Sequence, residues 1–466
     1  MPTTDALNSK SSTARPRYDE YVDSGVDWLS KIPAHWKPTR LRFLVELSPS
    51  KNEVRDLPKD EKVSFVPMEA IRENGGLALE QTRELGPVID GYTYFQEGDV
   101  LVAKITPCFE NRKGAFASNL QNGIGFGTTE LHVLRPNEGM DGRYLFYVTM
   151  SHPFRKRGES TMYGAGGQKR VSDDFIRNLE WPIPPLDEQR AIAAYLDRET
   201  ERIDALIEKK EQLIDLLEEK RKSLISRVVT KGLDDDVEMQ NSGVEWLGEI
   251  PAHWEGARLK FVAQLETGHT PSRSEAEYWE NRTIPWVTLS DVGKLRSGRV
   301  DYIYETEEKI SELGLANSSA RLLPKGTVIL SRTASVGFSA ILGKPMATTQ
   351  DFVNWICGDS LLPKYLLYCF RSMRQEFDRI TDGSTHKTIY MPEVEQFRIP
   401  LPPIESQKTI VEHLDEETGR IDSLVNTIQD GIKQLKEYRT ALISAAVTGQ
   451  IDVREATDKP VKQQYS

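Results

Sequence analysis

The chain has 466 residues, 28% charged and 38% hydrophobic, with three cysteines and a net charge of −11. No run of about 18 apolar residues occurs, which argues against a membrane-spanning helix, and aromatic residues spread along the chain argue against wholesale disorder. Three cysteines without a CxxC fit a reducing, cytoplasmic setting rather than a disulfide framework or Cys-based zinc site, and the acidic balance leaves any nucleic-acid role to local basic patches or to partners that share the contact.

Residues 1–20 read as a flexible polar tail without the apolar core of a signal peptide. A globular segment follows over 21–185, opening on DSGVDWLSKIPAHWKPTRLRFLVEL (23–47). Short β-branched runs bounded by turn residues predict strands at SFVPMEAI (64–71), VLVAKI (100–105) and LHVLRP (131–136). A short helix is expected at Tyr144–Met150. The connector WPIPP is extended, because proline fixes its own φ and biases its predecessor away from helix.

From Leu186 to about Val229 neither Pro nor Gly occurs, so a long helix is expected within a central spacer over 186–235. Its apolar residues, Ile192, Leu196, Ile203, Leu206, Leu213, Leu217 and Leu224, recur in steps of three, four and seven and form a heptad seam. About 44 residues span roughly 65 Å.

A second globular segment runs over 236–403. It opens on NSGVEWLGEIPAHWEGARLKFVAQL (241–265), with strands expected at TIPWVTL (283–289), TVILSRT (327–333) and FVNWIC (352–357) and a short helix at Tyr365–Phe370. After IPLPP comes a distal spacer helix over 404–449, with a seam at Ile410, Leu414, Ile421, Leu424, Ile432, Leu435 and Leu442. Residues 450–466 form a C-terminal tail.

The two openings match at 14 of 25 positions at an offset of 218 residues. WPIPPLDEQ (181–189) and IPLPPIESQ (399–407) obey the same offset, so the chain is a tandem duplication. Between these landmarks the copies diverge. The expected fold class is two tandem α/β (α+β) domains, each followed by a long helix. Neither helix can bury its seam alone, which leads to an antiparallel coiled coil with pseudo-two-fold symmetry.

Catalytic motifs are missing. There is no GxxxxGK[ST], no HExxH, and the glycine-rich GAGG (164–167) lacks a strand–GxGxxG–helix context. Asp187 and Glu188 sit where a helix starts and are read as dipole partners. His35 and His253 are read as structural turn residues, and Trp36 and Trp254 as core. Basic and polar side chains remain in the divergent regions: Lys104, Thr106, Arg112 and Lys113 in or after a strand, and Arg332, Thr333 and Ser335 in the related place of the second copy. Gln168, Lys169 and Arg170 follow one glycine turn; Ser384, Thr385, His386, Lys387 and Thr388 follow another. Arg and Lys pair with guanine edges, Gln with adenine, and Ser or Thr with bases or phosphates, so these are the candidate DNA-binding residues. The competing description of them is ordinary solvated loops.

SGVDWLSKIPAHW with SGVEWLGEIPAHW, the paired proline connectors and the duplicated LDRETERID and LDEETGRID resemble the specificity subunit of type I restriction-modification enzymes, from about Tyr18 to Asp452. The resemblance implies two target-recognition domains on a pair of spacer helices and a bipartite double-stranded DNA target. It also implies two methyltransferase subunits and added motor-nuclease subunits as partners. It implies no cofactor in this chain, with S-adenosylmethionine, ATP and Mg in the partners. The alternatives are a self-contained methyltransferase or nuclease, a coiled-coil scaffold, and an orphan DNA-binding protein without an active complex.

Overall fold

The computed structural model describes residues 16–165, 167–382 and 387–454. Most of both expected tails, together with Ser384, Thr385 and His386, lies outside them. The chain forms two compact units. One comprises Met1–Lys209 with Gly431–Ser466, the other Lys210–Asp430. The central helix, Leu186–Lys231, and the distal helix, Ile404–Val447, each contribute residues to both units.

In the first unit a hairpin, Tyr21–Val26 with Leu29–Pro33, leads to strand Lys37–Arg40, which pairs with the connector strand Glu180–Ile183. One four-stranded sheet runs in the order Thr82–Glu84, Lys62–Val66, Ile124–Gly127, Thr93–Gln96. A second runs Val45–Leu47, Leu131–Pro136, Val100–Ala103, Gly114–Phe116. The strand expected through Ile71 ends at Val66, since Pro67 lacks a donor and Met68–Ala70 turns as a 3-10 helix. Helix Gly142–Met150 packs on the second sheet, capped by the Asp141 carboxylate accepting from the Tyr144 amide at 2.9 Å.

The second unit repeats this plan. Hairpin Met239–Asn241 with Glu249–Pro251 is followed by Glu255–Arg258 paired with Arg398–Leu401. A five-stranded sheet contains Ala263–Thr267, Phe352–Cys357, Val328–Ser331, Ser339–Leu342 and Tyr302–Ile303, and a three-stranded one Glu308–Ile310, Ile284–Val287 and Ala347–Thr348. Helix Pro363–Ser372 packs on the larger sheet.

Within each unit the two helices run antiparallel. In the first, Arg439 pairs with Asp204 at 3.0 Å, while the domain that opens the central helix reaches the distal helix's end at Val447. In the second, Arg221 lies 3.2 Å from Asp422. The buried stripe comprises Ile192, Leu196, Thr200, Ile203 and Ile207, then Ile225, Val228 and Val229. On the distal helix it is Ile410, Leu414, Thr418, Ile421, Val425, Ile428, Ile432 and Leu442.

Leu206, Leu213 and Leu424, expected in the seam, are 44%, 43% and 46% exposed and do not belong to the buried stripe. Leu217, Leu224 and Leu435 are half-buried. The difference has a phase origin. Buried positions step 4, 4, 3, 4 through Thr200 and 4, 4, 3, 4 through Thr418, a stutter that moves the stripe off a strict heptad.

Candidate nucleic-acid interface

The structure brings two separated basic segments of the first unit into one ribbon. The Thr106 amide donates to the Lys169 carbonyl and the Val171 amide to the Lys104 carbonyl, both at 2.9 Å. Arg170 also pairs with Tyr163 through reciprocal main-chain bonds of 2.9 and 3.1 Å, which closes a hairpin. Gly164 turns that hairpin at φ +137°, where a Cβ would stand 2.5 Å from the Gln168 carbonyl, so only glycine fits. Tyr163, Gln168 and Lys169 are exposed, and Lys104 and Thr106 are half-buried.

The second unit builds the same ribbon. The Ala334 amide donates to the Lys387 carbonyl at 2.9 Å and the Ile389 amide to the Arg332 carbonyl at 2.8 Å. Thr333 bridges Thr388 as Ile105 bridges Arg170. Lys104 therefore corresponds to Arg332, and Lys169 to Lys387. The backbone is shared, while Ile105–Thr106 faces Thr333–Ala334 in the comparison. A common frame with different side chains is what two different sequence readers require.

Several predicted contacts have partners inside the protein. Arg170 is held by Glu130 in a two-pronged pair at 2.8 and 2.9 Å, and this guanidinium holds the Glu130 carboxyl below its ordinary range. Arg112, at φ +57°, donates to Thr440 Oγ1, and burial lowers its pKa. Lys113 donates to the Met68 carbonyl at 3.0 Å. Arg332 spans the Gln350 and Ile389 carbonyls at 3.0 and 3.2 Å. The Ser335 amide donates to the Thr333 carbonyl at 2.6 Å. Among the described residues, Lys104 and Lys169 make no ion pair within 4 Å, and Lys387 approaches Asp378 only at 3.9 Å. These three are the cations most available to an incoming phosphate. His132, beneath the first ribbon, is buried and donates from Nε2 to the Val171 carbonyl at 3.0 Å; desolvation lowers its pKa against the opposing pull of Asp173.

Each domain is seated by residues that the sequence analysis passed over. Gln189 accepts from the Asp141 amide at 2.8 Å and donates to the Gly139 and Pro184 carbonyls. Gln407 accepts from the Leu362 amide at 2.9 Å and donates to Ser360 and Pro402. Asp197 accepts from Tyr147 at 2.6 Å and from Arg143; Asp415 accepts from Tyr368 at 2.6 Å and from Lys364 at 2.7 Å. Tyr144 reaches the Val447 carbonyl and Tyr365 the Val229 carbonyl, both at 3.3 Å. The long-helix positions, Gln189 and Gln407, Asp197 and Asp415, and Val229 and Val447, recur at the repeat offset of 218, and that recurrence was the available signal.

Glu188 is more than a dipole partner. Its carboxylate is 7% exposed and accepts from Tyr18 at 2.6 Å and Trp36 at 3.1 Å, with His35 Nε2 at 2.7 Å. Asp187 is exposed, as a dipole reading expects. Among the described residues no group of three His, Cys, Asp or Glu side chains could hold a metal ion. Burial pushes the Cys357 thiol up to about 12. No helix among them is long and apolar enough to cross a membrane.

A family model described as the type I restriction modification DNA specificity domain matches residues 33–216 and, again, 251–434. The chain belongs to this type I specificity family. Both matches begin and end 218 residues apart, the offset of the internal repeat. Among curated relatives, the type I restriction enzyme EcoAI specificity subunit of Escherichia coli is 44% identical over 164 residues, 35% of this chain and 27% of that subunit. The chain thus spans about a quarter of that relative's length. The MjaVIII specificity subunit of Methanocaldococcus jannaschii is 26% identical over 338 residues, covering 70% of this chain and 74% of the relative.

Two solved structures share the fold. One, from work on complex assembly and conformational transition of the type I R-M system, has a TM-score of 0.72 at 21% identity over 90% of this chain and 99% of its own. The HsdS subunit from Thermoanaerobacter tengcongensis has a TM-score of 0.53 at 20% identity, over 90% and 98%. The expected fold, tandem mixed α/β domains with long helices, is that of the specificity family.

Proposed function

We propose that this chain is the non-catalytic specificity subunit of a type I restriction-modification complex acting in the cytoplasm. Each domain reads one half of a bipartite DNA target through its ribbon. The helix pair sets the gap between half-sites and carries two methyltransferase subunits, with motor-nuclease subunits added for restriction. S-adenosylmethionine, ATP and Mg are then the partners' cofactors. Lys104, Lys169 and Lys387 contact phosphate, while Gln168 and the side chains that differ between the two ribbons face base edges.

The observation that carries this reading is the ribbon itself, repeated in main-chain bonding and changed in side chains. In a chain of net charge −11 it offers exposed cations at equivalent places, and phosphate attraction needs such a local patch rather than a basic whole.

The test exchanges residues 50–175 for the corresponding segment of a relative with a different target, then reads the methylated sites of the host genome. The expected result is one changed half-site, with the other half-site and the gap retained. A target that changes in both halves, or in neither, refutes the assignment.

A further inference from the structure

The two most exposed large apolar side chains among the described residues are Phe43 and Phe261, at 67% and 75%. They occupy the same position of the two repeats, 218 residues apart, inside Arg-Leu-Arg-Phe and Arg-Leu-Lys-Phe. Each ends a 3-10 turn, Leu41–Phe43 or Leu259–Phe261, whose first leucine is fully buried and pins it. The anchoring bonds also correspond: the Leu41 amide donates to the Leu179 carbonyl at 3.0 Å and the Leu259 amide to the Phe397 carbonyl at 2.9 Å. Most identities in this part of the repeat are explained by burial, as at Trp36 and Trp254 or Ile32 and Ile250. A solvated phenyl ring has no such explanation, because an exposed ring gains nothing until a partner covers it.

We infer that Phe43 and Phe261 are two equivalent docking points, each received by one methyltransferase subunit. This rests on the function proposed above, which supplies a partner present twice. A single chain with two like surfaces is matched by two copies of one partner. Charge narrows the match. Arg40 and Arg42 flank the first ring and Arg258 and Lys260 the second, with Glu180 and Glu395 pairing with one cation in each set, at 3.0 and 3.5 Å. In an acidic chain these are locally positive rims, so the complementary face is an apolar pocket bordered by carboxylates. Beside Phe261 runs an open groove of about 690 Å³ walled by Val262, Leu265, Ile356 and Cys357.

Nucleic acid fits less well. A phenyl ring offers no hydrogen bond to a base edge or phosphate, and two domains with different ribbons have no reason to share an identical reading residue. In the first unit helix Asp173–Asn178 separates the ribbon at Val171 from the turn's anchor at Leu179.

The test uses the full chain coexpressed with its methyltransferase subunit, as wild type, F43D, F261D and the double variant, with subunit counts by native mass spectrometry. Expected are two copies on the wild type, one on each single variant and none on the double, each site weakened at least about tenfold. F43L with F261L keeps two copies. Thermal midpoints stay at the wild-type value, because neither ring is buried. A double variant that still carries two copies overturns the proposal, and if the half-site exchange still moves one half-site, the proposed function stands without it. A double variant with two copies but lost DNA affinity also overturns it and gives the surface to DNA. A wild type that takes up no methyltransferase overturns both readings.

Discussion

Replacing Glu188 with Ala tests whether the first repeat is anchored by a buried carboxylate. Tyr18 and Trp36 are almost fully buried, so removing their acceptor strands a hydroxyl and an indole N–H away from water; His35, half-exposed, can turn to solvent. A buried unsatisfied donor costs about 1–3 kcal/mol, so two give a loss of about 3 kcal/mol. For a unit of this size that corresponds to a fall of about 6–12 °C in its unfolding temperature. A two-unit chain need not unfold in one step, so the assay is hydrogen–deuterium exchange of residues 29–36 during thermal melting, alongside calorimetry of the full chain. The second repeat provides an internal control, because Ser406 stands at the Glu188 position: Ser406→Ala is expected to change stability by under about 0.5 kcal/mol. If Glu188→Ala melts within a degree of wild type, with unchanged protection at 29–36, the argument from stranded donors is wrong.

Leu414→Ala, at a fully buried site, is expected to cost about 2–5 kcal/mol. Leu424→Ala, at an exposed one, is expected to cost under about 1 kcal/mol; the reverse order of urea midpoints would refute the stripe drawn through Thr418. Acidification should weaken the first unit through His132. Burial places its folded pKa below the unfolded value of about 6.5, so between the two the unfolded chain binds the proton and stability falls as pH drops below that value. Lys104 opposes the charge, while Asp173 and Glu130 favour it. His132→Gln should flatten the melting temperature between pH 7 and 5.5, and an equal slope in both proteins would remove His132 as the cause.

The repeat, the long helices and the main strands were legible because period, breaker residues and β-branched runs act locally. The ribbon was legible only in pieces. Lys104 and Lys169 are 65 positions apart in sequence, and no local pattern states that the Thr106 amide meets the Lys169 carbonyl. The helix seam failed at Leu206, Leu213 and Leu424 for a definite reason. Thr200 and Thr418 read as polar and were skipped, yet each hydroxyl donates to the carbonyl four residues back, at 2.7 and 2.6 Å, and is thereby buried at low cost. Counting them moves the stripe onto Ile207 and Val425. Glu188 was misjudged because its three partners lie more than 150 residues away.

Under the proposed function, reading DNA and fixing distance impose opposite demands on one chain, and the residues divide accordingly. A reader must be free to change, and Ile105–Thr106 against Thr333–Ala334 shows side chains changing over an unchanged set of main-chain bonds. A ruler must not change, and the seats at Gln189 and Gln407, Asp197 and Asp415, and the tyrosine contacts to Val447 and Val229 recur with the same partner atoms, the long-helix positions 218 residues apart and their domain partners 221. Each domain is therefore tied both to the helix that follows it and to the end of the other. Several buried bonds must break before it pivots, which makes tilting a cooperative event rather than a soft motion. Main-chain bonds hold the ribbon and side-chain bonds hold the seat, so substitution within the ribbon leaves the seat intact. That separation is the physical basis for expecting an exchange of residues 50–175 that keeps the seat residues Asp141, Arg143, Tyr144 and Tyr147 to alter what is read without altering the gap.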